Sequence, residues 1–302
     1  MATILIAGGT GLVGKRLSTV LTKGGHEVIH LSRKVDLKAP YPTYVWDVAR
    51  GFLDEKALLK ADIVVNLAGA GVADSRWTEA QKKLITGSRV QSNELIVKGF
   101  QKISKVPKAY ISAAAVGFYG NRGDELLTEE SAAGSSGFLS ESCIAWEKSI
   151  AEVADKLQTR TVLLRIGIVL SLDGGALPKM LLPFKVGLAT YFGDGEQYQS
   201  WIHIDDLCSI FVKAIEDENM SGIFNAVAPN PVTNKFFTQK IKDSLKTPAL
   251  LISAPAFALR LGMGEMADVV LGGARVSNEK LLKTGFQFQF TDSGAALEDL
   301  LR

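Results

Sequence analysis

Three glycines, Gly8, Gly11 and Gly14, follow a short apolar run near the start of the chain and constrain its fold more than any other feature. The run, Thr3 to Ala7, is apolar and rich in β-branched residues, which is typical of a buried parallel strand. Gly8 allows the backbone to turn out of this strand without a steric penalty. Gly11 permits close approach of the backbone to a pyrophosphate, and Gly14 permits close packing of a following helix on the sheet.

The residues after these glycines predict a helix and then a second strand. Leu17, Val20 and Leu21 recur at helical spacing, and Gly24-Gly25 ends the segment. Val28 to Leu31 is again apolar and returns the chain as a strand. Strand, glycine turn, helix and strand together form half of a dinucleotide-binding fold, in which the first helical turn points its N–H groups at the phosphates.

The end of the second predicted strand indicates which dinucleotide binds. An acidic residue there favours NAD through the ribose 2′-hydroxyl, whereas an arginine favours the 2′-phosphate of NADP. The chain has Ser32, Arg33 and Lys34 at this point and no acidic residue before Asp36. We therefore predict NADP(H), with Arg33 pairing with the phosphate. In the alternative, Arg33 and Lys34 are a solvated strand end and Asp36 reaches the ribose.

Composition excludes several classes of protein. The chain has 302 residues and a net charge of only +2, so no overall field attracts nucleic acid or a membrane surface. It contains neither an apolar stretch long enough to cross a bilayer nor a basic leader, and we expect no membrane partner. Its two cysteines, Cys143 and Cys208, suggest neither a disulfide framework nor a metal site. We expect a cytoplasmic protein that binds no metal.

Further along the chain, the pattern continues as alternating strands and helices. Ile63 to Gly69 predicts a buried strand with a small-residue exit, where Leu67, Ala68 and Gly69 let a cofactor pass close by. Arg89 lies within a long predicted helix, where it can reach a phosphate, line the pocket or form a surface salt bridge. Further predicted elements include helices at Thr78–Ile103 and Phe138–Leu157, a helical run Leu177–Gly187 interrupted by Pro183, a helix after an Asp205 N-cap, and strands at Lys108–Ala113, Thr161–Ile166, Gly222–Val227 and Phe286–Phe290.

These elements predict an α/β protein, a doubly wound parallel-sheet NAD(P)-binding Rossmann fold with a small mixed C-terminal lobe. We assign residues 1–170, continued by 204–228, to the core. Residues 171–203 and 229–302 form the substrate lobe. No linker divides the chain into independent domains.

Several motifs together resemble the extended short-chain dehydrogenase/reductases. More narrowly, they are similar to an atypical branch of epimerase-like proteins with an extra C-terminal domain, sometimes described as cell-division inhibitors. The matching segments run through the whole chain and are Gly8–Gly14, Asn66–Gly69, Gly87-Ser88-Arg89, Phe118–Gly120, Trp146-Glu147, Leu181–Phe184, Trp201–Asp206, Pro255–Leu261 and Gly264–Asp268.

The resemblance implies a seven-stranded parallel sheet and an NADP-binding role for residues at its edge. Asp47 would lie toward the adenine and Ile168 beside the nicotinamide. The remaining implied cofactor residues are Thr10, Gly11, Leu12, Val13, Ser32, Arg33, Leu67, Ala68 and Gly69.

The chain departs from the wider family at the catalytic pattern. That family uses a Tyr-x-x-x-Lys pair, in which the lysine cation lowers the pKa of a proton-shuttling tyrosine. If Glu147 is aligned with the family's helix glutamate, Leu139 and Cys143 fall at these two positions, and no Tyr-x-x-x-Lys occurs anywhere in the sequence. The family serine falls on Ala114 or Ala115, which leaves Ser112 as the nearest hydroxyl.

Three residues are our candidates for replacing the missing groups. Ser112 lies near the end of its strand, Tyr119 has a titratable hydroxyl near the cofactor, and His203 titrates in a suitable range. Each has a structural alternative: Ser112 pointing elsewhere, Tyr119 fixing a loop, and His203 packing beside the Asp205 cap.

Two functions remain open from the sequence. The first is an NADP(H)-dependent enzyme of the epimerase, dehydratase or reductase type acting on an unknown carbonyl or sugar-nucleotide-like small molecule. The second is an NADP(H)-binding sensor or regulatory protein that has lost catalysis. A monomer and a homodimer are equally compatible with the helix patterns.

Overall fold

The computed structural model describes residues 1–34 and 38–302, and its strands and helices alternate through most of that range. The strands are β1 (Thr3–Ala7), β2 (Glu27–Ser32), β3 (Thr43–Asp47), β4 (Phe52–Leu53), β5 (Ile63–Asn66), β6 (Ala109–Ala115), β7 (Leu126–Leu127), β8 (Arg160–Ile166), β9 (Ile168–Leu170), β10 (Leu188–Phe192), β11 (Tyr198–Gln199), β12 (Trp201–His203), β13 (Gly222–Ala226), β14 (Val232–Thr233), β15 (Leu250–Ala254) and β16 (Arg275–Val276).

The helices of the described chain flank these strands. They are α1 (Leu12–Lys23), α2 (Glu55–Lys60), α3 (Glu79–Lys102), α4 (Phe138–Leu157), α5 (Leu177–Met180), α6 (Ile204–Glu216), α7 (Asn234–Leu245), α8 (Ala256–Met263), α9 (Asp268–Leu271), α10 (Glu279–Leu282) and α11 (Ser293–Leu301). Short 3-10 helices span Val116–Tyr119, Pro183–Val186 and Gly264–Ala267.

The central sheet has eight strands in the order β13-β8-β6-β5-β1-β2-β3-β4. Only β4, at the edge, runs antiparallel to its neighbour, so the other seven strands form the expected parallel sheet. The chain leaves β1 toward β2 and β3 and then crosses to β5 on the other side of β1. Ligands bind in such open sheets at the carboxyl ends of the strands, where the strand order reverses. This topology confirms the predicted Rossmann fold.

Alternation along β1 explains why helices cover both faces of the sheet. Ile4 and Ile6 pack on one face against α1 and α6, whereas Leu5 and Ala7 pack on the other against α2 and α3. All four side chains are completely buried. A strand that is apolar on both faces therefore requires two layers of helices.

A third core lies beyond the sheet and forms the small mixed lobe. It is built mainly from Leu177, Phe184, Phe237, Phe290 and Leu297, with Trp201 beneath them. Short strand pairs accompany it, including the parallel pair β10 and β15 and the antiparallel pair β11 and β14. The boundaries that we assigned to the core and the lobe stay a prediction.

One predicted element in this region is wrong, for a reason that lies far away in sequence. Residues 286–290 form no strand, because the Asp206 carboxylate accepts hydrogen bonds from the backbone N–H groups of Gln289 and Phe290 at 2.8 and 2.9 Å. Those two groups therefore need no neighbouring strand. The predicted helical run Leu177–Gly187 is interrupted at Pro183 as expected, with α5 before the break and a 3-10 helix from Pro183 after it.

The predicted N-cap of α6 is also wrong. His203 is the capping residue, and its Nδ1 accepts a hydrogen bond from the backbone N–H of Asp205 at 3.1 Å. Asp205 instead pairs with Arg16 of α1, with 2.6 Å between its Oδ1 and the arginine Nε. That hydrogen-bonded cation lowers the pKa of Asp205.

One buried ion pair connects α4 to the sheet. The Arg165 guanidinium on β8 donates from Nε and Nη2 to the two carboxylate oxygens of Glu147, each at 2.8 Å. Arg165 is 2% exposed and Glu147 9%. The Nη1 of Arg165 also donates to the Tyr119 hydroxyl at 2.9 Å, and the Arg165 Cζ lies 3.7 Å from the centroid of the Phe118 ring. The pair sets the position of α4 over the end of β8.

Within the described residues, no helix combines the length and the apolar character that crossing a bilayer requires.

Breaking this ion pair should destabilise the fold. Glu147→Ala leaves the Arg165 charge buried without a carboxylate partner, and we expect the free energy of unfolding to fall by about 3–5 kcal/mol. Adding Arg165→Met removes that charge, so we expect the double variant to be more stable than Glu147→Ala alone. Urea unfolding followed by circular dichroism measures both.

A matched control lies on the same helix. Glu152→Ala breaks an exposed pair with Lys156 and should leave the urea midpoint nearly unchanged. A Glu147→Ala variant as stable as the wild type would contradict the assigned role of the buried pair.

Candidate functional site

The turn between β1 and α1 is packed so tightly that two of its glycines cannot be replaced without movement of the backbone. Gly8 has a φ of +82°, and a Cβ there would lie 3.0 Å from the carbonyl oxygen of Leu67. A Cβ on Gly14 would lie 2.4 Å from the Gly8 carbonyl oxygen. A Cβ on Gly11 would meet only that oxygen, at 3.3 Å, so Gly11 presents an open side.

The first turn of α1 lies open beside these glycines. Its N-cap, Gly11, has no side chain to bond the free backbone N–H groups, and Thr10 and Gly11 are exposed. Unsatisfied N–H groups and the positive end of the helix dipole favour an anion at this place. This cradle fits the pyrophosphate of a dinucleotide, with Leu12 and Val13 in the first turn of the helix.

The residues predicted to select the 2′-phosphate lie at the same sheet edge. Arg33 and Lys34 are exposed just beyond β2, and neither forms an ion pair with any residue of 1–34 or 38–302. Ser32 Oγ accepts a hydrogen bond from the Lys34 backbone N–H at 3.4 Å. Asp36, which in the alternative prediction reaches the ribose, lies outside the described residues. Asp47 ends β3, where its Oδ1 accepts from the Arg50 backbone N–H at 3.1 Å.

The turn after β5 completes this edge and rests on a buried polar network. Leu67 donates its backbone N–H to the Ala7 carbonyl at 2.9 Å, and Ala68 donates to Asn66 Oδ1 at 3.0 Å. Asn66 Nδ2 in turn donates to Asn93 Oδ1 on α3 at 2.7 Å. Long-range partners such as Asn93 could not be assigned from the sequence, because nothing local shows that these amides meet.

His30 supports the glycine turn from below. A Cβ on Gly9 would come within 2.4 Å of the His30 ring, and the His30 Nε2 lies 2.8 Å from the Ser18 hydroxyl. Burial lowers the pKa of His30 to about 4, so the ring is neutral at physiological pH. The turn therefore rests on an uncharged imidazole.

A cleft of about 480 Å³ opens at the carboxyl ends of β6 and β8, between the sheet and the C-terminal lobe. Most of its wall is apolar. Apolar and aromatic contributors include Val72, Trp77, Ile85, Val116, Phe138, Leu139, Trp146, Ile166, Ile168, Val269 and Leu271. Polar contributors include Arg89, Asn121, Ser140, Tyr198, Gln199, Arg260 and Asp268.

The face of α4 that lines the cleft carries the two residues that our alignment of Glu147 assigns to the family's tyrosine and lysine positions. Leu139 and Cys143 both contribute to the wall, and a Cβ on Gly117 would lie 3.5 Å from Cys143 Sγ. Burial raises the pKa of the Cys143 thiol to about 12. Neither side chain can exchange a proton readily near neutral pH.

Arg89 brings a cation to this wall from α3. Its Cζ lies 4.8 Å from the centroid of the Trp146 ring, and a Cβ on Gly69 would lie 2.9 Å from the same atom. Its Nη1 donates to the Ile85 carbonyl at 2.8 Å, and among the described residues no carboxylate pairs with it. Burial lowers the pKa of Arg89, with Cys143 close enough to interact with its charge. Arg89 thus joins the cofactor edge to the cleft.

The three predicted catalytic residues are not brought together in this cleft. Ser112 is completely buried and donates to the Ala113 carbonyl at 3.0 Å. Tyr119 is also fully buried, and its hydroxyl donates to Asn225 Oδ1 at 2.7 Å. His203 caps α6 and faces a second cavity near Lys15. Ser112 and Tyr119 have polar partners within the fold, whereas the His203 Nε2 is buried without a hydrogen-bond partner in the described chain and lies 3.5 Å from Asp299 Oδ2. Catalytic roles for these three residues stay a prediction.

Burial also disfavours proton transfer by two of these groups. It raises the pKa of the Tyr119 phenol and lowers the pKa of the His203 imidazole. Two other residues, Tyr198 and Gln199, line the cleft instead. The sequence analysis did not single them out, because β11 is only two residues long and lacks a motif of its own. Within the described residues, no cluster of three or more histidine, cysteine, aspartate or glutamate side chains could hold a metal ion.

Comparisons with known proteins agree with this architecture. Residues 4–226 match the NAD dependent epimerase/dehydratase family, and residues 254–300 match a domain of unknown function, DUF1731. Epimerase family protein YfhF of Bacillus subtilis is 36% identical over 299 residues, which cover 99% of this chain and 97% of that protein. The human epimerase family protein SDR39U1 is 35% identical over 302 residues, with 99% of each chain covered.

Solved structures show the same relationship. The crystal structure of human SDR39U1 (isoform 2) with NADPH superposes with a TM-score of 0.88 at 34% identity over 99% of each chain. A nucleoside-diphosphate sugar epimerase from Corynebacterium glutamicum has a TM-score of 0.80 at 37% identity, covering 99% of this chain and 58% of that one. The UDP-N-acetylglucosamine 4-epimerase of Bacillus cereus, at 15% identity and a TM-score of 0.78, shares the fold. These findings confirm the resemblance that the motifs indicate.

The neutral His30 predicts a specific dependence of stability on pH. The unfolded chain protonates His30 near its ordinary value of 6.5, whereas the folded chain does so only near pH 4. The unfolded state therefore binds more protons between these values, and stability falls as the pH drops through this window, by roughly 3 kcal/mol at its lower end. His30→Gln removes this contribution, so its free energy of unfolding should decline less steeply with acid.

Urea unfolding of both proteins at several pH values in this window measures the two slopes. His203 is present in both proteins, so the difference in slope isolates His30. Parallel curves would show that His30 titrates normally in the folded protein.

Proposed function

The chain belongs to the NAD dependent epimerase/dehydratase family, and from that premise we propose that it binds NADP(H) along the carboxyl edge of its sheet and acts on a small molecule in the adjoining cleft. The observation that carries the choice of cofactor is the exposed Arg33-Lys34 pair beside the open N-terminus of α1. The human relative crystallised with NADPH supports the same choice.

The geometry suggests where each part of the cofactor lies. Gly8, Thr10, Gly11, Leu12 and Val13 would hold the pyrophosphate at the start of α1. The 2′-phosphate would lie against Ser32, Arg33 and Lys34, because two cations and a hydroxyl suit a phosphate dianion. The adenine would lie toward Asp47, and the nicotinamide would pass Leu67, Ala68 and Gly69 to reach Ile168.

We propose that Arg89 supplies, from α3, the positive charge that Cys143 cannot supply from α4. Three contacts support this role: the guanidinium lies against Gly69, stacks on Trp146, and is near Cys143. An arginine that is half-buried and has no carboxylate partner in the described chain is available to a ligand. Its hydrogen bonds would orient the nicotinamide ribose.

When bound, NADPH supplies a hydride to a carbonyl carbon, and the carbonyl oxygen then gains a proton. The apolar wall formed by Leu139, Trp146 and Ile168 excludes water from this reaction. Because Leu139 and Cys143 provide no proton, a group other than the usual tyrosine, or the substrate itself, must provide it. We retain an epimerase, dehydratase or reductase as the class of enzyme.

A second function has one observation in its favour. With Leu139 and Cys143 at the positions assigned to the family's tyrosine and lysine, this part of the cleft wall is apolar. Such a wall is expected for a protein that binds NADP(H) and no longer catalyses a reaction. Such a protein would act as a sensor of the cofactor. Net consumption of NADPH with a carbonyl compound would identify a reductase, conversion of a substrate at constant cofactor would identify an epimerase or dehydratase, and a sensor would show neither.

Arg33→Ala should weaken the binding of NADPH by about 10- to 100-fold and leave NADH binding unchanged, because one charged hydrogen-bonding partner of the 2′-phosphate is lost. Nicotinamide fluorescence during titration measures both affinities. Lys23→Ala, an exposed cation at the end of α1, serves as the control and should bind both cofactors normally. Equal affinity of the wild type for NADPH and NADH would overturn the assignment, and absence of binding would overturn the proposed function.

Arg89→Met should weaken NADPH binding about tenfold but leave binding of 2′,5′-ADP unchanged, because that fragment lacks the nicotinamide half. In the Arg89→Met background, Cys143→Lys should restore part of the lost affinity by returning a cation to the same wall. Titration calorimetry gives the affinities, and thermal unfolding verifies that each variant is folded.

The control on the same helix is Lys98→Met, which removes an exposed cation from α3. It should bind both ligands like the wild type. Equal weakening of NADPH and 2′,5′-ADP by Arg89→Met would contradict a contact with the nicotinamide half.

A further inference from the structure

Gln199 lines the cleft, and its side-chain amide has no hydrogen-bond partner among the residues that the structure describes. Gln199 is 6% exposed, and its Oε1 is buried and unsatisfied. The Oε1 of Gln197, two residues earlier, is also buried and unsatisfied, but its Nε2 donates to the Phe192 and Val270 carbonyls, so that side chain is held by the fold. A buried amide oxygen without a partner is costly, and few remain in native proteins without a functional reason.

The backbone around Gln199 is fixed, so the orphaned amide does not belong to a loose loop. Gln199 pairs with Val232 in the antiparallel ladder of β11 and β14. The next residue, Ser200, donates from Oγ to the Ala274 carbonyl at 2.7 Å and accepts from the Val276 backbone N–H at 3.0 Å. The Ser200 carbonyl accepts from the Ile168 backbone N–H at 2.8 Å. Gln199 is therefore held beside the residue that we place next to the nicotinamide.

The charges of the cleft restrict what can bind there. Arg89 and Arg260 are the cations among its described lining residues. Arg260 already pairs with Asp268, with 3.1 Å between Nη1 and Oδ1, and Arg89 lies at the cofactor edge. A nucleoside diphosphate brings two negative charges that need cationic partners. Once Arg89 binds the cofactor, no unpaired cation is left among the described residues that line the cleft.

The rest of the cleft wall favours a ligand that is largely apolar. Trp77 and Phe138 meet edge to face, with 4.8 Å between their ring centroids, and Leu139 and Leu271 extend the same surface. An amide is able to donate from Nε2 to a carbonyl oxygen and to accept a hydrogen bond from a hydroxyl at Oε1. Gln199 can thus bind either the oxidised or the reduced form of a carbonyl/alcohol pair.

We infer that the cleft takes a compact, uncharged and largely apolar carbonyl compound or its alcohol, held by the Gln199 amide, and not a sugar nucleotide. This inference rests on the proposed function, in which Arg89 is a binding partner of NADP(H). It specifies the substrate class that the family assignment leaves open.

Calorimetric titration of the protein saturated with NADP⁺ tests the inference. The probes are 9,10-phenanthrenequinone, an apolar diketone that NADP⁺ cannot reduce, and UDP-glucose. We expect the quinone to bind and UDP-glucose to give no heat at concentrations that saturate the quinone site. Gln199→Leu should weaken quinone binding roughly tenfold, because one hydrogen bond is lost. It should leave NADP⁺ affinity unchanged and should not lower the thermal unfolding midpoint, because the fold loses no side-chain hydrogen bond at this position.

Gln101→Leu, an exposed glutamine on α3, is the matched control and should bind the quinone like the wild type. Displacement of the quinone by UDP-glucose, or a Gln199→Leu variant with undiminished quinone affinity, would overturn the inference. Failure of the protein to bind NADP⁺ would count against the proposed function alone. The quinone titration repeated without cofactor would then still decide the role of Gln199.

Discussion

The buried ion pair between Arg165 and Glu147 joins the two elements from which the cleft is built. It sets the rotation of α4 over the end of β8, so that Leu139, Cys143 and Trp146 turn toward the cleft. Two charges in an apolar interior are tolerated only when each satisfies the other, and here both carboxylate oxygens are bonded. The geometry of the substrate side therefore depends on one bidentate contact.

The cofactor side depends on a different constraint, the close approach of backbone to backbone. Gly8 touches the turn after β5, and Gly14 brings α1 against the same glycine turn. This contact leaves the N-terminus of the helix open and bare of side chains. Cationic residues then lie along the sheet edge, at Arg33, Lys34 and Arg89, whereas the adjoining cleft is mostly apolar. The division of charge between the two sides suggests an anionic cofactor and an uncharged substrate.

Relatives that share the fold do not settle the chemistry of this chain, because function belongs to the site and not to the architecture. The chain keeps the glycine cradle of its family but carries Leu139 and Cys143 where a proton shuttle is expected. The structure brings Arg89 from another helix to the same wall, and among the described residues it leaves the buried Gln199 Oε1 without a hydrogen-bond partner.

The sequence by itself determined the local elements of this protein. Glycine spacing and strand periodicity were sufficient for β1, α1 and β2, and the long helical pattern predicted from Thr78 agrees with α3. These features depend on neighbours in the chain. Tertiary structure decided what depends on distant partners: Asp206 replaced the strand expected at 286–290, and Asn225 and Arg165 enclosed Tyr119. No local pattern encodes those contacts, because a buried polar group takes its role from whichever partner the fold brings to it.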